Sequence, residues 1–258
     1  MAAFLVMVAM NALANLLPLF GRVTGDVSDG YPSLFTPAPY TFSVWGAIYL
    51  LLAAFVVYQA LPRARDDARL ARVRPLFVLS CAFNTLWLVA WHGLAIALSE
   101  LLMLALLATL VALYLRADLW RAPAPPWQRW LLDLPFAAYL GWISVATIAN
   151  TSIFLLDLGV DGGARAVAIT VVMVAAAAVL GLLALLTRRD WAYALVVGWG
   201  LGGVAAARAG EAPTVSTVAL ACAVGLGLLA ALAFAGRYRP PGGRRGAEAL
   251  APGRRPVV

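Results

Sequence analysis

Three runs of residues place chemically useful side chains at helical spacing. Asn84, Trp87 and Trp91 follow at i, i+3 and i+7, so one amide and two indoles share a helix face. Trp142, Ala146 and Asn150 follow at i, i+4 and i+8 and again share roughly one face. Phe42, Trp45 and Tyr49 form an aromatic stripe, and Asn11 and Asn15 lie one turn apart. Indole and phenol rings present broad apolar surfaces with one polar handle each, and amides add hydrogen bonds without charge. A cavity walled by such groups suits a flat, largely apolar ligand with limited polar handles.

Other chemistries lack their residues. His92 is the sole histidine, so no His-based metal cluster can form, and it is expected to be structural or solvated. There is no lysine, which excludes a retinal-type Schiff base. No P-loop or GxSxG pattern is present. The carboxylates, including Glu100, Asp133 and Asp157, fall near helix ends, so no deep carboxylate pair for proton-coupled transport is visible.

The elements that must position these residues are membrane spans. The chain of 258 residues is 64% hydrophobic and only 12% charged, with a mean hydropathy of +0.89. A span needs roughly 20 apolar residues, and windows of that kind fall at 2–20, 41–60, 75–94, 97–115, 131–156, 164–187, 191–207 and 214–235. They are far too long for barrel strands of about 10 residues. The expected fold is an all-α polytopic transmembrane bundle of about eight spans, with short connections and antiparallel neighbours. Ala12-Leu13-Ala14 has the look of a signal-cleavage site, yet no basic residue precedes the apolar run, so 2–20 is read as a retained span. Cys81 and Cys222 fall inside spans and are expected to be free thiols.

Orientation follows from the basic residues, all 19 of which are Arg. Sixteen of them fall in 61–74, 116–130, 188–190 and the tail, leaving Arg22, Arg165 and Arg208 on the alternating side. That bias places the Arg-rich side and both termini in the cytoplasm, with the chain in the cytoplasmic (inner) membrane. The net charge of +7 is thus a topology signal; no nucleic-acid module accompanies it. The Pro/Gly/Arg-rich tail is expected to be disordered and held near anionic lipid.

With directions assigned, Asn84 sits near mid-membrane, with Trp87 and Trp91 successively nearer the outside. Trp142, Ala146 and Asn150 run from the middle outward, and Phe42, Trp45 and Tyr49 occupy the outer half of span two. An unpaired amide in lipid costs several kcal/mol, so each Asn should face the bundle interior; Asn11 and Asn15 read first as glue between helices. Trp120, Trp127 and Trp130 read as an interfacial belt, and Gly198 and Gly202 as a helix-packing pair. Residues 1–156 are expected to be a ligand-binding unit, 157–236 a three-helix membrane extension that binding can do without, and 237–258 the basic tail.

The same residues carry a family resemblance. Ala82-Phe83-Asn84-Thr85-Leu86-Trp87, with Gly93 nine residues after the Asn, resembles the third helix of the TspO/translocator-protein family, the tryptophan-rich sensory proteins. Trp142, Ala146-Thr147 and Asn150 are similar to its fifth-helix pattern W-x3-A-T-x2-N. Val44-Trp45-Gly46-Ala47-Ile48-Tyr49, preceded by Pro37 and Pro39, resembles its second-helix pattern. The resemblance implies a five-helix fold, a homodimer, and a pocket for porphyrins or heme-like tetrapyrroles beneath a lid formed by 21–39. Asn84, Trp142 and Ala146 would then be pocket residues, lined or supported by Val44 and Trp45.

Three departures bear on that reading. Ser99 falls near the position of a fourth-helix tryptophan. Pro135 stands seven residues before Trp142 rather than four. The sterol-linked basic motif after helix five is replaced by Phe154-Leu155-Leu156-Asp157, which removes support for a sterol ligand. The expected function is binding of a tetrapyrrole or similar small apolar ligand in sensing, sequestration or transport, with membrane lipid as surroundings, no required cofactor and no nucleic-acid partner. Light- or oxygen-dependent tetrapyrrole breakdown, and secondary transport through all eight spans, remain alternatives.

Overall fold

The computed structural model describes residues 1–17 and 19–237; beyond Arg237 the basic tail, and the amide of Asn15, lie outside the described residues. Among these the chain is all-α apart from an isolated bridge between Leu19 and Arg22. The helices are α1 (Ala2–Leu16), α2 (Thr24–Asp29), α3 (Val44–Ala60), α4 (Ala68–His92), α5 (Ile96–Arg116), α6 (Pro126–Gln128), α7 (Leu134–Asp157), α8 (Ala166–Arg188), α9 (Trp191–Arg208) and α10 (Pro213–Arg237). Eight long helices thus stand where the apolar windows fall. Six helical segments are long and apolar enough to cross a membrane. The 15-residue α1 and the 18-residue α9, which carries four glycines, fall outside that set.

Where boundaries depart from the expected windows, local chemistry accounts for it. Leu17 precedes Pro18 and is extended, so α1 stops at Leu16 rather than running to 20. The side chain of Asp67 accepts hydrogen bonds from the Arg69 and Leu70 amides, which starts α4 seven residues before the expected 75 and makes Arg69, Arg72 and Arg74 helical. Ahead of α7, residues Arg129–Asp133 form a wide π turn that leads to Pro135 at the start of the regular helix. The wide turn accommodates Pro135 within the continuous helical segment Pro126–Asp157, where its ring and missing N–H would disturb a regular α turn.

The core centres on α7, whose span is 83% buried, against 17% for α10 at the periphery. It contacts α3, α5, α8 and α9, while α1 docks on α4. Three arginine-bearing connections meet at one end of the bundle. Arg69 Nε donates to the Ala117 carbonyl at 3.0 Å, Arg121 Nη2 to the Thr187 carbonyl at 2.9 Å, and Arg188 pairs with Asp118 at 2.9 Å. Trp120, expected in an interfacial belt, is instead buried there, whereas Trp127 and Trp130 are exposed. At the opposite end, 21–39 folds over the helix ends and contains α2, a six-residue helix with no counterpart in the apolar pattern.

Candidate functional site

Beneath 21–39 lies a cavity of about 660 Å³ between α1, α3, α4 and α2. Its aromatic walls are Phe42, Trp45, Tyr49 and Trp87, and its floor and rim include Asn11 and α2. A smaller chamber of about 50 Å³ lies beside it and reaches α7, lined by Trp91, Trp142, Ala146, Ala149 and Asn150. Thr24, Ser28, Pro37, Phe42, Trp45 and Trp87 line both.

The rings are set at fixed mutual angles. Trp45 stacks on Tyr49 at 5.2 Å between centroids, and meets Trp142 edge-on at 6.3 Å. Phe42 also meets Trp142 edge-on, at 5.7 Å, and Trp87 stacks on Trp91 at 5.7 Å. Stacked and perpendicular pairs of this kind are favourable arrangements of aromatic quadrupoles. They leave broad ring faces as cavity wall.

Hydrogen bonds hold several of these side chains in place. Trp87 Nε1 donates to Asn150 Oδ1 at 3.0 Å, and Asn150 Nδ2 donates to Glu100 Oε2 at 2.7 Å. Thr151 Oγ1 donates to Glu100 Oε1 at 2.6 Å, so a carboxylate one turn into α5 is buried among amide and hydroxyl donors. Trp91 Nε1 donates to the Thr24 carbonyl at 3.2 Å, tying α4 to the lid helix. His92 is fully buried behind that contact, with Nε2 3.3 Å from Thr24 Oγ1, and is not solvated. In contrast, Thr36 Oγ1, Tyr49 Oη and Trp142 Nε1 are buried with no hydrogen-bond partner among the described residues.

The lid is fastened at three places. Tyr31 donates its hydroxyl to Asp157 at the end of α7 at 2.7 Å, and Ser33 and Ser152 hydroxyls lie 2.7 Å apart. Burial and, after it, the Asp157 hydrogen bond push the Tyr31 hydroxyl up to about 12. The third fastening comes from α9. The Ala38 amide donates to the Gly203 carbonyl at 3.0 Å, Trp199 Nε1 donates to the Thr41 carbonyl at 2.9 Å, and Tyr40 packs edge-on against Trp199. These contacts hold the 3-10 turn Pro39–Ser43, which carries Phe42 into both chambers.

Of the nine residues singled out by spacing and resemblance, seven line the chambers: Trp45, Tyr49, Trp87, Trp91, Trp142, Ala146 and Asn150. Val44 packs against the core instead. Asn84 is fully buried on neither wall, and its Oδ1 accepts from Asn11 Nδ2 at 2.8 Å, an amide bridge between α1 and α4. Asn11 therefore both glues two helices and reaches the larger cavity. Ala149, one residue beyond the expected face of α7, lines the smaller chamber as well.

Sequence reasoning missed Thr24, Asp26, Ser28 and Asp29 as wall residues. Their one local signal is Asp26, whose carboxylate accepts from the Val23 amide at 2.8 Å and so marks the start of α2. It also missed Gly203. An added Cβ there would stand 2.1 Å from Thr41 Oγ1, so only glycine admits the turn at this distance. No short-range pattern links residues 41 and 203.

A family model described as TSPO-like protein matches residues 1–232, a stretch that runs through the first seven long helices and into the eighth, α10. No curated relative and no solved structure matches the chain significantly.

Proposed function

The chain belongs to the TSPO-like protein family, and from that premise we propose that it binds a tetrapyrrole, or a ligand equally flat and apolar, in the cavity beneath 21–39. One observation carries the reading: a space of about 660 Å³ walled by Phe42, Trp45, Tyr49 and Trp87 and roofed by α2. That volume lies in the range of small-molecule and cofactor pockets, which are mostly apolar with a few polar groups. The unpartnered Tyr49 hydroxyl in this cavity, with the Thr36 hydroxyl and Trp142 indole N–H in the adjoining chamber, are donors available to orient a ligand. The protein acts in sensing, sequestration or transport as a multi-pass protein of the cytoplasmic membrane, with its arginine-rich end in the cytoplasm.

The test is a titration of the purified protein with a porphyrin, following its tryptophan fluorescence. Saturable quenching with one site per chain supports the reading. Quenching that rises linearly with porphyrin, as partition into the micelle gives, overturns it.

A further inference from the structure

Resting on that reading of the cavity, we infer that the site takes a neutral or cationic ligand and discriminates against an anionic one. The residues with polar side-chain atoms that line the larger chamber are Asn11, Thr24, Asp26, Ser28, Asp29 and Tyr49, with the indoles of Trp45 and Trp87; no basic residue is among them. The nearest cation in sequence, Arg22, reaches back to the Phe20 carbonyl at 3.5 Å. His92 lies buried behind Thr24 and forms no part of the wall.

The wider charge distribution has the same sign. The lid end of the bundle carries Asp26, Asp29, Glu100, Asp157, Asp161 and Glu211 against Arg22, Arg165 and Arg208. Arg208 is itself paired with Glu211. A free carboxylate brought to the rim meets the like charge of the exposed Asp26 and Asp29, with no basic residue in the wall to offset it. A cationic or hydrogen-bond-donating edge meets acceptors there, while the body of the ligand lies against Trp45 and Trp87. Within the tetrapyrroles, this favours those whose peripheral acids are esterified, absent or replaced by basic groups.

Three porphyrins of matched ring test it: a dicarboxylic acid, its dimethyl ester, and an analogue bearing two quaternary ammonium groups. Tryptophan quenching is titrated for each in the wild type and in an Asp26→Asn/Asp29→Asn variant. Asn keeps an oxygen able to accept the Val23 amide, so α2 retains its cap. The wild type is expected to bind the ester and the dication at least about tenfold tighter than the diacid. In the variant the diacid should gain at least about fivefold relative to the ester. Partition into micelles is common to both proteins, so the change in that ratio reads the two carboxylates. Equal affinities in the wild type, or a ratio unchanged in the variant, overturns the charge preference while leaving the cavity a porphyrin site. Failure of all three porphyrins to bind overturns the tetrapyrrole reading, and the preference with it.

Discussion

The two ends of the bundle differ in what their buried polar groups surround: at the arginine-bearing end they meet packed protein, even where Arg69 Nη1 and Trp191 Nε1 lack partners, and at the lid end they border a cavity. At the arginine-bearing end, the fully buried Asp133 receives Arg69 at 2.6 Å and the Trp120 amide at 3.3 Å, with Arg129 at 3.9 Å. Asp67 there caps α4 and accepts from Gln128 Nε2 at 2.6 Å and the Tyr58 hydroxyl at 3.2 Å. Asp190 caps α9 and accepts from the Tyr114 hydroxyl at 2.7 Å. At the lid end, Thr36, Tyr49 and Trp142 keep buried donors without partners around a cavity. Leaving such groups unmatched costs about 1–3 kcal/mol each, which contacts elsewhere in the fold must offset. Charge pairs joining consecutive connections contribute to that at the arginine-bearing end, while the lid end encloses a cavity.

The division of labour is broken most severely by Asp133→Ala. Removing one partner of a buried pair leaves Arg69 uncompensated and should cost about 3–5 kcal/mol of stability, read as a fall in the detergent-solubilised melting temperature. Porphyrin affinity per folded molecule should hold. A parallel loss of affinity would mean that the two ends are not separable.

Gly203→Val should invert that pattern. The added carbons meet Thr41 Oγ1, Cγ2 and Cβ, all within 3 Å of the new Cβ, and displace the turn that carries Phe42. Overpacking of this kind costs about 1–3 kcal/mol, and about 2 kcal/mol is expected to appear as lost porphyrin affinity. The spans after 156, expected from sequence to be dispensable for binding, then have a direct part in it. Unchanged affinity in a folded Gly203→Val protein would restore the view of α8–α10 as an appendage.

Ala146→Leu probes the small chamber alone. Three extra carbons beside Trp142 should weaken porphyrin quenching by at least about 1 kcal/mol, with the melting temperature close to wild type. The control is Ala176→Leu, on the exposed side of α8 and away from the chamber. Affinity equal to that of Ala176→Leu would remove α7 from the site.

The smallest effect concerns the lid fastening at Tyr31. Its folded value is raised from 10.0 to about 12, so the neutral hydroxyl is the form the folded state favours. Its contribution is fully present below pH 10 and is lost as pH rises through about 12. Tyr31 is partly exposed, so Tyr31→Phe should lower ligand affinity at pH 8 by only a few tenths of a kcal/mol. The wild type should converge on the variant as pH climbs through that window. A gap that stays constant would show that the hydroxyl does not hold the lid.

Long apolar windows made the eight helices legible, because the cost of unpaired backbone in lipid leaves one choice of structure. Their ends were less so, since Asp67 and Pro18 act through single bonds and single torsions that hydropathy averages away. Helical spacing grouped Trp142, Ala146 and Asn150, which line one chamber, yet a face does not name its neighbour: Asn84 turned to Asn11, and Ala149 joined the wall. The short polar α2 has no periodicity to detect. The meeting of Thr41 with Gly203 depends on how α9 packs across α7, a tertiary fact no local window contains.

The wide turn at Arg129–Asp133 also fixes azimuth. A π turn holds one residue more than an α turn, and each residue advances a helix by about 100°. Everything beyond Asp133 is therefore rotated by roughly that angle relative to an uninterrupted helix. Deleting Leu131 alone, with the wide turn closing to an α turn, would cancel that offset and leave Trp142, Ala146 and Asn150 facing the same neighbours. The chamber-facing side of the central helix is thus indexed by a wide turn some three turns away, and a chain of the same length that ran α-helical through 129–133 would turn a different face of α7 to the chamber with every wall residue intact.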